Sequence, residues 1–189
     1  MKALLASSNP HKAEELARSL PGWEIGVLGA AEYPPETGAS YYENARAKAE
    51  FGRALRGDAW VLGEDSGIEV EGLGGRPGVQ SARWAVEPVS ALLVELREVE
   101  GEGRRARYVC ELVGLGPGGE ELRGTGTLEG RIAEEPRGSE GFGYDPIFVP
   151  EGETRTVAEL GNAWKAEYSH RARAARALAA AVSARAKSR

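Results

Sequence analysis

The apolar residues of this chain come in short packets. No run free of Asp, Glu, Lys and Arg reaches ten residues, whereas a membrane-spanning helix needs roughly 20 consecutive apolar ones. The chain therefore reads as a soluble protein made of short strands and amphipathic helices. Its start, Met1-Lys2-Ala3-Leu4-Leu5-Ala6, soon meets Asn9-Pro10-His11-Lys12 and carries no signal-peptide cleavage pattern, which makes a cytoplasmic protein with no membrane partner the expectation. At 189 residues, 41% hydrophobic and 28% charged, the composition suits one domain with little room for a second core, and residues 1–189 are expected to form it.

The packets alternate in kind. Lys2 to Ala6 reads as a strand, followed by a polar loop and a helix from His11 to Leu20, with a second strand from Trp23 to Leu28. Glu32 to Gly38 is a loop broken by Pro34, Pro35 and Gly38. Ser40 and Glu43 have the spacing of a capping box at the head of a helix that runs to about Arg56. Ala59 to Gly63 reads as a strand with Glu64-Asp65-Ser66-Gly67 at its rim, and Ile68 to Glu71 as a further strand. A glycine-rich loop (Gly72 to Gly78) and a helix over Val89 to Val99 follow. Arg104 to Leu115 and Glu121 to Ala133 read as a hairpin turned at Gly116-Pro117-Gly118-Gly119. A glycine-rich aromatic stretch, Ser139 to Pro150, precedes a long Ala/Arg helix started near Ser169, with Ala174, Leu178 and Val182 on its apolar side. Helices and strands interleaved around an antiparallel section give an α/β class with a mixed sheet.

Composition also prunes the chemistry. A single cysteine, Cys110, excludes an internal disulfide and a cysteine-based zinc cage, and two histidines, His11 and His170, leave no histidine-rich site. A metal would have to be held by oxygen, which points to Mg²⁺. A net charge of −5 argues against a protein that coats nucleic acid, since such binding rests on basic surface. Small anions remain possible where cations cluster.

Four places could carry chemistry, each with a plainer reading beside it. Ser7-Ser8-Asn9-Pro10-His11-Lys12 sets hydroxyls, an amide, free N–H groups and an ammonium at a helix N-terminus, which suits an anion or is simply an N-cap. Glu64 and Asp65 form a carboxylate pair that wants a divalent cation, or a solvated turn. Lys165, His170 and Arg171 make a basic cluster fit for a polyphosphate, or ordinary surface. Gly141-Phe142-Gly143-Tyr144-Asp145 offers aromatic faces that could stack on a nucleobase, or core packing.

Taken in order, SSNPHKAEE (7–15), ETGASYYENARAKAE (36–50), GEDSGIEVEGLGGRPGVQSARWA (63–85), GFGYDPIF (141–148), TVAEL (156–160) and KAEYSHRARA (165–174) span almost the whole chain. With them the sequence resembles the inosine triphosphate pyrophosphatases, the non-standard purine NTP pyrophosphatases. The resemblance implies an elongated mixed central sheet with flanking helices, two lobes around a nucleotide cleft, and a homodimer. It also implies hydrolysis of ITP, dITP and XTP to the monophosphate and pyrophosphate with Mg²⁺. On this chain it makes Asp65 the catalytic carboxylate and a metal ligand, with Glu64 and Glu36 (or Glu32) beside it. Ser7, Ser8, Asn9, His11 and Lys12 would grip phosphates and Ser66 would contact the substrate. Phe142, Gly143, Tyr144, Asp145, His170 and Arg171 would bind the base, and Lys165 would serve the nucleotide as well. Glu64 stands where Asp is common in that family. A Maf-type pyrophosphatase acting on pyrimidine or modified nucleotides, or an inactive nucleotide sensor, are the competing readings.

Overall fold

The computed structural model describes residues 1–30 and 32–187. The first segment alternates as expected: β1 (Lys2–Leu5), α1 (Pro10–Ser19), β2 (Glu24–Val27), α2 (Tyr41–Leu55) and β3 (Trp60–Val70). A short helix α3 (Pro88–Glu95), the hairpin strands β4 (Arg105–Leu115) and β5 (Glu121–Ile132), and the brief β6 (Phe148–Pro150) follow. Helices α4 (Val157–Tyr168) and α5 (His170–Lys187) complete the described chain. The strands form one six-stranded sheet in the order β2-β1-β3-β4-β5-β6. β1 pairs parallel with both β2 and β3, and β5 pairs antiparallel with β6. The sheet is mixed, as helix-connected strands at one end and a hairpin at the other require.

Two sequence expectations need correction. Glu64 and Asp65 do not mark a rim, because β3 runs unbroken from Trp60 to Val70 and both residues are buried in its middle. Gly63 is there for a different reason than punctuation: a Cβ on it would run into the Ala45 carbonyl oxygen and stand 2.6 Å from the Ala49 amide nitrogen, so it is the place where α2 lies directly on the strand. The second correction is α4, a helix absent from the sequence expectation, which starts its C-terminal helix near Ser169, where α5 begins. Thr156 opens it with a complete capping box to Glu159, and Ser169, extended at ψ 160°, ends it before α5 begins.

The chain divides into two compact units, one of Met1–Asp65, Cys110–Gly126 and the segment from His170, the other of Ser66–Val109 and Thr127–Ser169. Each has its own apolar core, where composition alone suggested room for one. In the first unit Leu5, Leu16, Leu62, Leu112 and Leu178 pack together; in the second, Ile68, Leu92, Leu96, Ile132 and Phe148 do so. Strand alternation sorts the first unit into layers. Leu62, Cys110 and Leu112 meet α1 and α5 on one face of the sheet, while Gly63 faces α2 on the other. On β5, Cβ atoms at Gly124 and Gly126 would strike the carbonyl oxygens of Ala174 and His170, so α5 rests on bare backbone there.

Candidate active site

The alternation that separates the helices also separates the two neighbouring carboxylates of β3. Asp65 lies on the α2 side. Its Oδ2 accepts 2.9 Å from Asn44 Nδ2, and its Oδ1 stands 3.3 Å from Lys48 Nζ. Asn44 and Lys48 are one helical turn apart on α2, so they share a face. Lys48 Nζ also donates 2.9 Å to the Glu64 main-chain carbonyl and pairs with Glu36 Oε1. Glu36 is brought in by its loop: Asn44 Oδ1 accepts 2.8 Å from Gly38 N, so one amide side chain ties that loop and Asp65 to the same helix. The α2 N-terminus that carries this group is capped by Ser40 Oγ, which accepts from Glu43 N, while Glu43 Oε2 accepts from Ala39 N. Burial pushes the Asp65 carboxyl above its ordinary range, and the Lys48 charge and the Asn44 hydrogen bond only partly oppose that. Burial works against the Lys48 ammonium, yet Asp65, Glu64 and Glu36 together raise its pKa.

The side chain of Glu64 lies on the α1 and α5 side and is fully buried, at 0% exposure. Oε1 accepts from Arg171 Nη2 at 2.9 Å and Nε at 3.2 Å, with Cys110 Sγ at 3.5 Å, and Oε2 lies 2.6 Å from Lys12 Nζ. Arg171, 2% exposed, also pairs through Nη1 with Glu15. Lys12 and Glu15 are one turn apart on α1, so two cations and two carboxylates balance in this cluster. Burial would raise the Glu64 carboxyl, but Lys12 and Arg171 hold it well below the usual range. The same burial, with Glu64 beside it, pushes the Cys110 thiol well up.

The anion loop is compact. Ser7 Oγ accepts 3.1 Å from Asn9 N, and Asn9 Oδ1 caps α1 by accepting 3.0 Å from His11 N. The capping reading of Asn9 therefore holds. Ser8 and His11 are exposed, and the Lys12 side chain, at 14%, keeps an edge toward solvent. Glu32 is exposed in its loop.

The second unit holds its own polar cluster. Lys165 of α4 is 2% exposed, and its Nζ lies 2.6 Å from Asp145 Oδ2 and 4.5 Å from the centre of the Phe142 ring. Asp145 also accepts 2.8 Å from Phe142 N and 3.2 Å from Tyr108 Oη. Phe142 is half-buried and Gly143 exposed. Tyr144 belongs to the core: its hydroxyl donates 3.0 Å to the Ser81 carbonyl, and burial lifts it to about 12. Ser66 is partly buried at the start of this unit, and His170 is buried at the head of α5 in the first.

The supposed surface patch of Lys165, His170 and Arg171 is thus no surface. Lys165 and Arg171 are buried in different units, each on its own carboxylate. Asn44 and Lys48 were missed in the sequence. The available signal was a pair of polar residues at i and i+4 on a face otherwise formed by Tyr41, Ala45, Ala49 and Gly52, all buried.

An α/β protein that buries a carboxylate pair under two lysines is equipped for anions and hard cations. The Ham1 family model matches residues 3–181, and the chain belongs to that family. A dITP/XTP pyrophosphatase of Bdellovibrio bacteriovorus is 42% identical over 190 residues, covering 94% of this chain and 96% of that one. One of Thermus thermophilus is 45% identical, covering 94% and 90%. The solved structure of a HAM1 protein from Coxiella burnetii matches with a TM-score of 0.85 at 32% identity, covering 97% of this chain and 99% of that one. Among the described residues no helix is long and apolar enough to cross a membrane.

Proposed function

We propose that this protein hydrolyses the non-standard purine nucleoside triphosphates ITP, dITP and XTP to the monophosphate and pyrophosphate, clearing them from the nucleotide pool. The observation that carries the reading is the Asp65, Lys48 and Glu36 constellation against α2, in a chain whose relatives are named dITP/XTP pyrophosphatases. Those names lend the Maf-type alternative no support.

The donor set around Asp65 suits Mg²⁺, since the two carboxylates and the Glu64 carbonyl are all hard oxygens. Among the described residues no three His, Cys, Asp or Glu side chains form a ready cage, but Mg²⁺ held by one or two carboxylates and by substrate phosphates needs none. Asp65 and Glu36 would hold the ion; when bound, it neutralises phosphate charge and makes a nearby water more acidic. Glu64 is committed to Lys12 and Arg171 through its carboxylate, and Glu32 stands out in solvent. Lys12 and the Ser7 to His11 loop, with Ser8 and Asn9, receive the phosphates at the head of α1. Asp65 orients a water in line with the α-phosphorus and takes its proton. The new P–O bond forms as the bond to the β-phosphate oxygen breaks, and pyrophosphate departs while Lys12 and Lys48 offset the developing charge.

In the second unit the Lys165 ammonium beside the Phe142 ring gives a hydrogen-bond donor next to a stacking face. A 6-oxo purine accepts from such a donor, and the adenine amino group cannot. Gly143 lets the backbone approach the base, and Asp145 holds Lys165. We read residues 1–189 as one functional domain that works as a cytoplasmic homodimer, which light scattering of the purified chain tests for its oligomeric part. The reaction is tested by pyrophosphate release from ITP, XTP, dITP, GTP, ATP, UTP and dTTP with Mg²⁺. Fast release from the first three is expected, and Asp65→Asn should lower kcat by about 10² to 10⁴-fold. Tight ITP binding without turnover would instead favour the sensor.

A further inference from the structure

Lys48 uses up its own chemistry in this structure. An ammonium has three N–H donors, and Lys48 Nζ faces three oxygens: the Glu64 carbonyl at 2.9 Å, Asp65 Oδ1 at 3.3 Å and Glu36 Oε1. Its side chain is only 9% exposed. In this position it has no donor left for a phosphate. The oxygens it occupies are those proposed above to hold the divalent ion, and one positive charge against two carboxylates leaves the group one charge short. The oxygens themselves are fixed from elsewhere, since Asn44 donates to Asp65 and accepts from the loop that carries Glu36. They would stay in place if the lysine left, and a four-carbon flexible stem permits it to leave.

We propose that Lys48 is a placeholder for the divalent cation: its ammonium fills the oxygen pocket of Asp65 and Glu36 until a metal displaces it, and the displacement frees it to reach substrate phosphate. This rests on the reaction and metal ligands read above. It makes metal entry and the arming of Lys48 one event, so the enzyme acquires its full cationic equipment only when the metal arrives.

Metal binding without nucleotide tests the idea, with Mn²⁺ in place of Mg²⁺ and free ion followed by electron paramagnetic resonance. Lys48→Met should bind Mn²⁺ at least about 10-fold more tightly than the wild type, and adding Asp65→Asn should erase the gain. Unchanged affinity in Lys48→Met, or a gain that survives Asp65→Asn, overturns the proposal. If the variant does not fold, the wild type itself answers: trinitrobenzenesulfonate should label Lys48 faster with saturating Mn²⁺ than without, and an equal rate overturns the proposal. Hydrolysis of ITP is followed in the same wild-type preparation. No turnover there overturns the assigned reaction, whereas an active enzyme with unshifted Mn²⁺ binding overturns the displacement alone.

Discussion

Glu64 and Asp65 share a peptide bond and almost nothing else. Asp65 carries a raised pKa because burial outweighs its partners, and it must be ionised to accept a proton. Activity should therefore fall on acidification at a pH above the ordinary aspartate value near 3.9, and a pH profile of kcat/KM with ITP checks where that limb lies. Glu64 behaves in the opposite sense. Its folded-state pKa is depressed, so its contribution to stability is present above the unfolded glutamate value and lost as pH falls through the folded one. Glu64→Gln should flatten that part of the stability-pH curve. Glu64→Ala takes from Arg171 one of its two paired carboxylates and strands the inner edge of Lys12, a broken buried pair that costs about 3–5 kcal/mol, measurable by urea titration. Charged residues also show best what the sequence conceals. Lys165 and Arg171 read as one basic cluster because a sequence lists charges without their partners; their carboxylates, Asp145 and Glu15 with Glu64, are brought to them only by tertiary structure.

At the level of elements, glycine carried two meanings that local patterning does not separate. The turn at Gly116 to Gly119 was legible because alternating strands flank it, whereas Gly63 and Gly67 suggested a break that β3 does not have. A glycine inside a strand marks either a bend or the close approach of another backbone, and only the position of α2 decides. Gly63→Ala should test the second meaning: the added methyl must push α2 off the strand, at about 1–3 kcal/mol, and because Asn44 and Lys48 ride on α2, kcat should fall along with urea stability. Helix α4 was hidden for a related reason. Its Thr156 and Glu159 capping spacing is present in the sequence, but Gly161, at φ 86° inside the helix, interrupts the pattern that would have announced it. Thr156→Ala should cost about 1 kcal/mol through the lost cap, read as a lowered urea midpoint.

For the molecule as a whole, strand and helix alternation was enough to give the α/β class and the hairpin, because each depends on neighbours in sequence. The division into two units was not legible from periodicity, since β3, β4 and β5 each pass from one unit to the other without any change in their apolar rhythm. The buried Glu64 cluster has one further consequence for anyone who handles this protein. Cys110, the only thiol of the chain, lies sealed among Leu62, Leu112 and Ala174 and is kept protonated, so a thiol-alkylating reagent can reach it only when the first unit comes apart. Iodoacetamide should leave the native protein unmodified and mark the urea-unfolded chain at one position, which gives the molecule a native stopwatch for its own opening.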